Sequence, residues 1–444
     1  MASHRAVLGV LIALTVLGGA LRGYAASRPD PYQSVDERAY ARLARNLARH
    51  GTYRAPEMKD PTRWAPGAPA LFTLAQLVSP AHTGLVWDVP SAYPVQAACG
   101  TLLIPALFVL VLLVAGPLAG LVAAGAVAIY PPLVNASGDL LTEPLGTLVL
   151  TAALIAVVLA LRRPGARSAF VAGAALGAAV LVRADLLLIP VVLALLMGGV
   201  AWSRAGRRTG LRALAGALGG SLLLLGPWTA YVSHFNGRFV PVSSGGSSNL
   251  FVGTYLPGDG TMFGLKKAYA PRVARALPEY RGQPYWRIPQ QRVIDRVAAE
   301  HPSANRDAAL SAAARENLRK YLIGDPAGYA GMAVRKVGRL WLHYTIGTHD
   351  VRLPAFKAYH LFLVLAGILG LAAALALRRG RSGELWAIAL VPLYVTAVNI
   401  VLVSEARHNL VVMPLLCAGA GIGADLAVRA VRRARAVPRA AVEA

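Results

Sequence analysis

Four short stretches set ionisable residues against long apolar runs, and together they describe an acidic and basic site whose carboxylates could take a proton from a substrate. Asp36 and Glu37 follow the first apolar segment in SVDERAY (34–40), and Asp139 and Glu143 lie in NASGDLLTE (135–143). Arg183 and Asp185 make up most of RAD (183–185), and Glu405, Arg407 and His408 most of SEARH (404–408). A carboxylate beside a hydroxyl can take its proton as the oxygen attacks. Charge beside hydrocarbon is costly and tends to mark function. Each stretch also has a plainer reading. Ser34 and Glu37 have the S-x-x-E spacing of a capping box, so the acidic pair can simply start a helix. Glu143 suits a helix N-terminus, Arg183 and Asp185 a paired turn, and Glu405 and Arg407 a rim ion pair of small net value. His408 alone is more often a packing or capping residue. Convergence favours chemistry, because four separate turns bring charge to one face.

The elements that carry these turns follow from composition. The 444 residues are 56% hydrophobic and only 15% charged, with mean hydropathy +0.51; a soluble domain has roughly 25% charged residues. About 20 apolar residues cross a bilayer core, and candidate spans fall at 6–23, 94–115, 118–134, 142–161, 169–183, 186–202, 212–231, 358–377, 385–403 and 408–428. The expected fold is an all-α polytopic membrane protein of about ten helices. The net charge of +24 is gathered in tufts such as LRRPGARS (161–168), SRAGRRTGLR (203–212), LRRGRSGE (377–384) and VRAVRRARAVPR (428–439). That is the pattern of cytoplasmic loops and argues against nucleic acid as the partner. It puts both termini in the cytoplasm and all four charged turns on the outer face of a plasma (inner) membrane. The run Ala6–Leu21 has the look of a signal peptide, but the many later spans favour an uncleaved first helix. Cys99 and Cys417 both fall in apolar runs, which argues against a disulfide framework or a zinc site.

Three regions follow: 1–231, a membrane core with a first outer loop at 24–93; 232–357, an extracytoplasmic segment; and 358–444, the last helices with a basic tail. In the first loop, ERAYARLARNLARH (37–50) places Tyr40, Leu43, Ala44 and Leu47 at helical spacing, with Arg38, Arg42, Arg45 and Arg49 opposite. Such a helix either lies among anionic headgroups or packs on the spans. A short apolar helix is expected within 62–76. The second segment reads as turn-rich over 241–260 and helical around 289–320 and 326–344, a small α or α+β cap.

The pattern V-D-E-x-x-Y-x-x-L-A-x-N-L-A-x-x-G-x-Y (35–53), followed by W-x-P-G-x-P-A-L (64–71), resembles the first outer loop of GT-C glycosyltransferases that use polyprenyl-phosphate sugars. The nearest group is that of protein O-mannosyltransferases and lipid A aminoarabinose transferases. TEPLGTLVLTAAL (142–154), LGAAVLVRADLLLIP (176–190) and EARHNLVVMP (405–414) fit in order and position. The resemblance covers most of 1–230 and the last two spans. It implies transfer of a sugar from a polyprenyl-phosphate donor, outside the cytoplasm and with inversion, to a hydroxyl on a protein, lipid or glycan. It also implies Asp36 as general base. Lys59, Arg63, Arg183, Arg407 and His408 are the candidate phosphate ligands. Glu143 orients the acceptor or supports a cation. Glu37, Asp139, Asp185 and Glu405 complete the expected binding face, and Asp36, Glu37, Asp139 and Glu143 have the chemistry of a divalent-cation set. One departure matters: the last motif reads Arg-His-Asn where relatives tend to read Arg-Tyr-Arg. Two alternatives stand beside this reading: a lipid-linked sugar flippase or transporter, and a surface-glycan polymerase or ligase using a lipid-pyrophosphate donor. Transporters favour midplane charges and inverted repeats, whereas here the charges share one face and no repeat is seen.

Overall fold

The computed structural model describes residues 2–29, 33–54, 58, 60–80, 89–301, 303, 305–344, 353–377 and 382–436. The chain is an all-α polytopic membrane protein, with no strand among the described residues. Its membrane half opens with α1 (Ala2–Ala26), then carries α2 (Val35–His50) and α3 (Gly67–Val78) in the first loop. It continues through α4 (Ala92–Val114), α5 (Pro117–Ile129), α6 (Pro131–Asn135), α7 (Glu143–Arg162), α8 (Ala166–Val182), α9 (Ile189–Ala205) and α10 (Arg207–Asn236). The segment expected on the outer side holds α11 (Gly246–Thr254), α12 (Met262–Ala276), α13 (Gln290–Glu300), α14 (Arg306–Asn317) and α15 (Pro326–Leu342). The chain re-enters the bundle as α16 (Pro354–Leu377), α17 (Ser382–Val401) and α18 (Met413–Ala436).

Among the described residues, eight helices are long and apolar enough to cross a membrane, and α5 with Pro131–Gly138, bent by 60°, is either a broken ninth span or a re-entrant loop. α8 is apolar but only 17 residues long. The expected span 118–134 is therefore broken. Pro131 and Pro132 lack the N–H groups that would continue α5, and the buried Arg22 guanidinium donates to Val127 and Ala128 carbonyls at 2.9 and 3.0 Å. Capping a helix C-terminus with a cation suits the dipole, so Arg22 fixes α1 against the bend. Close helix contacts come from small residues, as usual in membranes. A Cβ at Gly173 of α8 would lie 1.9 Å from the Ala217 carbonyl oxygen of α10.

The first loop folds onto the bundle. α2 buries Ala41, Leu43 and Ala44 and packs on α3, with Phe72, Tyr93 and Leu140 completing that small core. Of the two expectations for α2, packing on the protein is the one seen for its apolar face. It is α3 that presents an exposed apolar face, through Leu74, Leu77 and Val78. The outer segment differs from expectation within 241–260, where Gly246–Thr254 forms α11. Its Gly and Ser residues mask a helix whose Phe251 and Val252 enter a core with Leu265, Val293, Ile294 and Leu310.

Candidate active site

Asp36 stands in the first turn of α2, whose start is fixed twice. The Ser34 side chain caps the helix and the Ser34 N–H donates to Glu37 Oε2 at 2.7 Å. The Leu140 N–H donates to Glu37 Oε1 at 3.1 Å, tying α2 to the turn before α7. Asp36 receives Arg407 Nη2 on Oδ2 at 2.8 Å and the Trp64 indole N–H on Oδ1 at 3.0 Å. Trp64 is held by the 3₁₀ turn Pro61–Arg63, where Asp60 accepts from the Thr62 N–H and hydroxyl, while Asn236 and Ser244 grip the same Thr62. Burial alone would raise the Asp36 pKa. Arg407, through its charge and its hydrogen bond, together with Trp64 and the field of Arg63, outweighs burial and holds the carboxyl below 3.8.

A second ion pair lies behind the first. Arg183 donates to Asp185 at 2.8 Å and to Glu143 at 3.3 Å, and its stem crosses α7 at Gly146, where a Cβ would lie 3.0 Å from Cδ. Glu143 Oε2 is buried without a hydrogen bond. Arg407 also meets Glu405, at 3.4 Å. His408 has a defined tautomer. The Asn399 amide nitrogen donates to the Val395 carbonyl at 2.9 Å, which turns its oxygen toward His408 Nδ1 at 2.8 Å. An amide oxygen only accepts, so Nδ1 carries the proton and Nε2 offers a lone pair. Burial keeps this imidazole below its ordinary 6.5, against the pull of Glu405 and Asp185. Tyr40, one turn after Asp36, is kept protonated first by burial and then by the carboxylates of Asp36 and Glu143.

Two chambers meet at this point. A polar one of about 240 Å³ is lined by Asp36, Tyr40, Arg63, Arg183, Asp185, Asn399, Arg407 and His408, among others. A larger one of about 630 Å³ adds Val35, Leu141, Pro289 and Ala406. They share a wall of Asp36, Arg63, Trp64, Gln290, Glu405 and Arg407. The structure thus brings Asp36, Arg63, Arg183, Asp185, Glu405, Arg407 and His408 together. Glu37, Asp139 and Glu143 are buried outside the chamber linings, and Lys59 lies outside the described residues. Trp64, Tyr40, Asn399 and Gln290 were not expected at the site. Trp64 and Tyr40 left a signal, as the first residue of W-x-P-G and the Tyr of V-D-E-x-x-Y.

Among the described residues, no group of three or more His, Cys, Asp and Glu side chains gathers as a metal site. Glu37 is spent on backbone amides, Asp36 on Arg407 and Trp64, and one oxygen of Glu143 on Arg183. The unpartnered Glu143 Oε2 is far from the six or more oxygens that a hard cation takes. Among the described residues, these carboxylates do not gather round one point as a set of cation ligands.

No protein-family model matches the chain, and no curated protein matches it in sequence. Its fold is similar to that of solved structures of the archaeal oligosaccharyltransferase AglB from Archaeoglobus fulgidus. The complex with an inhibitory peptide and a dolichol-phosphate matches with TM-score 0.57 at 15% identity, over 98% of this chain and 52% of that one. A complex of the same enzyme with Zn and sulfate matches with TM-score 0.55 at 15% identity, over 95% and 49%. A structure of ArnT from Cupriavidus metallidurans bound to undecaprenyl phosphate gives TM-score 0.42 at 16% identity, over 95% and 78%. This chain therefore spans about half the length of the oligosaccharyltransferase, and the likeness is one of fold.

Proposed function

We propose that the chain is an integral membrane glycosyltransferase that moves a sugar from a polyprenyl monophosphate to an acceptor hydroxyl at the extracytoplasmic face, with inversion. The observation that carries this reading is Asp36, held ionised between Arg407 and Trp64 in a wall common to two chambers. As the acceptor oxygen bonds to the anomeric carbon, the carbon–oxygen bond to phosphate breaks and its electron pair leaves with the phosphate. The hydroxyl proton passes to Asp36. A weak base suffices, because the oxygen becomes strongly acidic as it bonds, and a fixed negative charge also suits the oxocarbenium-like transition state. Displacement from opposite faces inverts the centre, and two adjoining chambers that share Asp36 leave room for donor and acceptor beside it.

Charge pairing supports a monophosphate donor. Arg183 is matched by Glu143 and Asp185, and Arg407 by Asp36 and Glu405. Among the described residues of the wall, Arg63 is the cation without an ion pair or hydrogen bond. One uncommitted guanidinium fits one phosphodiester charge better than a pyrophosphate. The larger chamber, with exposed Val35 and with Leu141, suits the lipid side. The oligosaccharyltransferase of similar fold was solved with a dolichol-phosphate and an inhibitory peptide, which supports a lipid phosphate here.

The test is purified protein in nanodiscs given radiolabelled sugars on polyprenyl monophosphate or pyrophosphate. Sugar release or transfer is expected from the monophosphate alone. Asp36→Asn should lower it by about 10²–10⁴-fold at an unchanged melting temperature. Full activity in that variant would overturn the reading.

A further inference from the structure

Lys336 is fully buried in α15, yet no carboxylate pairs with it. The nearby Asp259 is taken by Arg335 and Arg339. The Lys336 ammonium instead donates to the Gly253 carbonyl at 3.0 Å and to the Ile400 carbonyl at 2.6 Å. These are carbonyls in the last turns of α11 and α17, where helix dipoles place partial negative charge. The two ends meet closely: a Cβ at Gly253 would lie 2.3 Å from the Leu402 carbonyl carbon. One side chain therefore closes two helix C-termini together.

The chain that leaves α17 at this junction is Ser404–His408. It stays clipped to the same support on both sides of Arg407. The Val403 N–H donates to Asn249 O, and the Ser404 N–H to Gly260 O. The Ser404 hydroxyl donates to the Lys336 carbonyl at 3.3 Å. Beyond the turn, the Asn409 amide donates to Leu340 O at 2.6 Å and His343 O at 3.2 Å. Gly260, at φ +64°, leaves room for the lysine stem, since a Cβ there would lie 2.8 Å from Lys336 Cδ.

We infer that Lys336 is a positioning residue of the active site, setting Arg407 and His408 by joining the ends of α11 and α17 under the turn that bears them. Its activity consequences rest on the glycosyl-transfer reading, but its geometric consequence does not. Two measurements on the full chain in nanodiscs test it. In ¹⁵N-histidine spectra, with the His408 signal assigned by its loss in His408→Gln, Lys336→Met should shift the His408 Nδ1 resonance; an unmoved resonance overturns the inference. Binding of radiolabelled undecaprenyl phosphate should weaken on the order of tenfold in Lys336→Met, with little further loss in the Arg407→Gln background. Losses that multiply in the double variant mean that Lys336 acts elsewhere, and overturn it. Should Lys336→Met not fold, Gly260→Ala displaces the stem instead and must give the same two results. Undecaprenyl phosphate that binds wild type and Arg63→Gln equally counts against the transferase reading, while the His408 resonance still decides on Lys336.

Discussion

Arg407 acts on Asp36 in two ways, as a geometric clamp and as the charge that opposes burial. Its removal separates the two. In wild type the carboxyl titrates below 3.8, so the ionised form persists throughout the neutral range and is lost only as pH falls past that depressed value. With Arg407→Gln the largest remaining influence is burial, which raises the pKa. The acid limb of activity should move to higher pH, and the rate at neutral pH should fall by about 10²-fold, as when one transition-state donor is lost. An acid limb that stays in place would show that Arg407 does not set the charge of Asp36. Sequence exposed this pair because charge stands out in an apolar chain, although 371 positions separate its members. It hid Asn399 and Gln290, since neutral side chains acquire a role only from what the fold sets opposite them.

At the scale of elements, the join between α15 and the two helix ends makes a stability prediction. Burial, with Arg339 adding and Asp259 opposing, lowers Lys336 from 10.5 to about 7. Between those values the unfolded chain binds a proton that the folded chain has released. Stability should therefore rise as pH goes from 7 to 10, by on the order of a few kcal/mol, and level off below 7. Melting curves in detergent at fixed ionic strength measure this, and Lys336→Met should flatten the rise. The capping box of α2 was legible because S-x-x-E is local. α11 was not, because its Gly-Ser opening reads as a loop until Phe251 and Val252 find the core of the outer segment. Nor was the bend between α5 and α6, which hydropathy reads as one continuous run.

For the whole molecule, the arrangement of charge predicts an orientation that a chemical label can read. Cys99 and Cys417 are both buried, so a single introduced surface cysteine reports alone. Gln283→Cys, on the exposed surface of the outer segment, should react with a membrane-impermeant maleimide on intact cells. Ser203→Cys, exposed beside Arg204, should react only after permeabilisation. The opposite pattern would invert the topology. The span count was legible to within the short α8 and the broken α5–α6 pair, because bilayer thickness sets helix length directly. How the outer segment roofs the wall through Gln290 was not, since that contact belongs to tertiary packing alone.

The wall shared by two chambers carries a kinetic consequence. On the glycosyl-transfer reading, donor and acceptor occupy the two adjoining chambers together, and no sugar need rest on the protein between them. Initial rates measured against donor at several fixed acceptor concentrations should give reciprocal lines that intersect, not a parallel set. The released lipid monophosphate should inhibit competitively toward the donor and noncompetitively toward the acceptor.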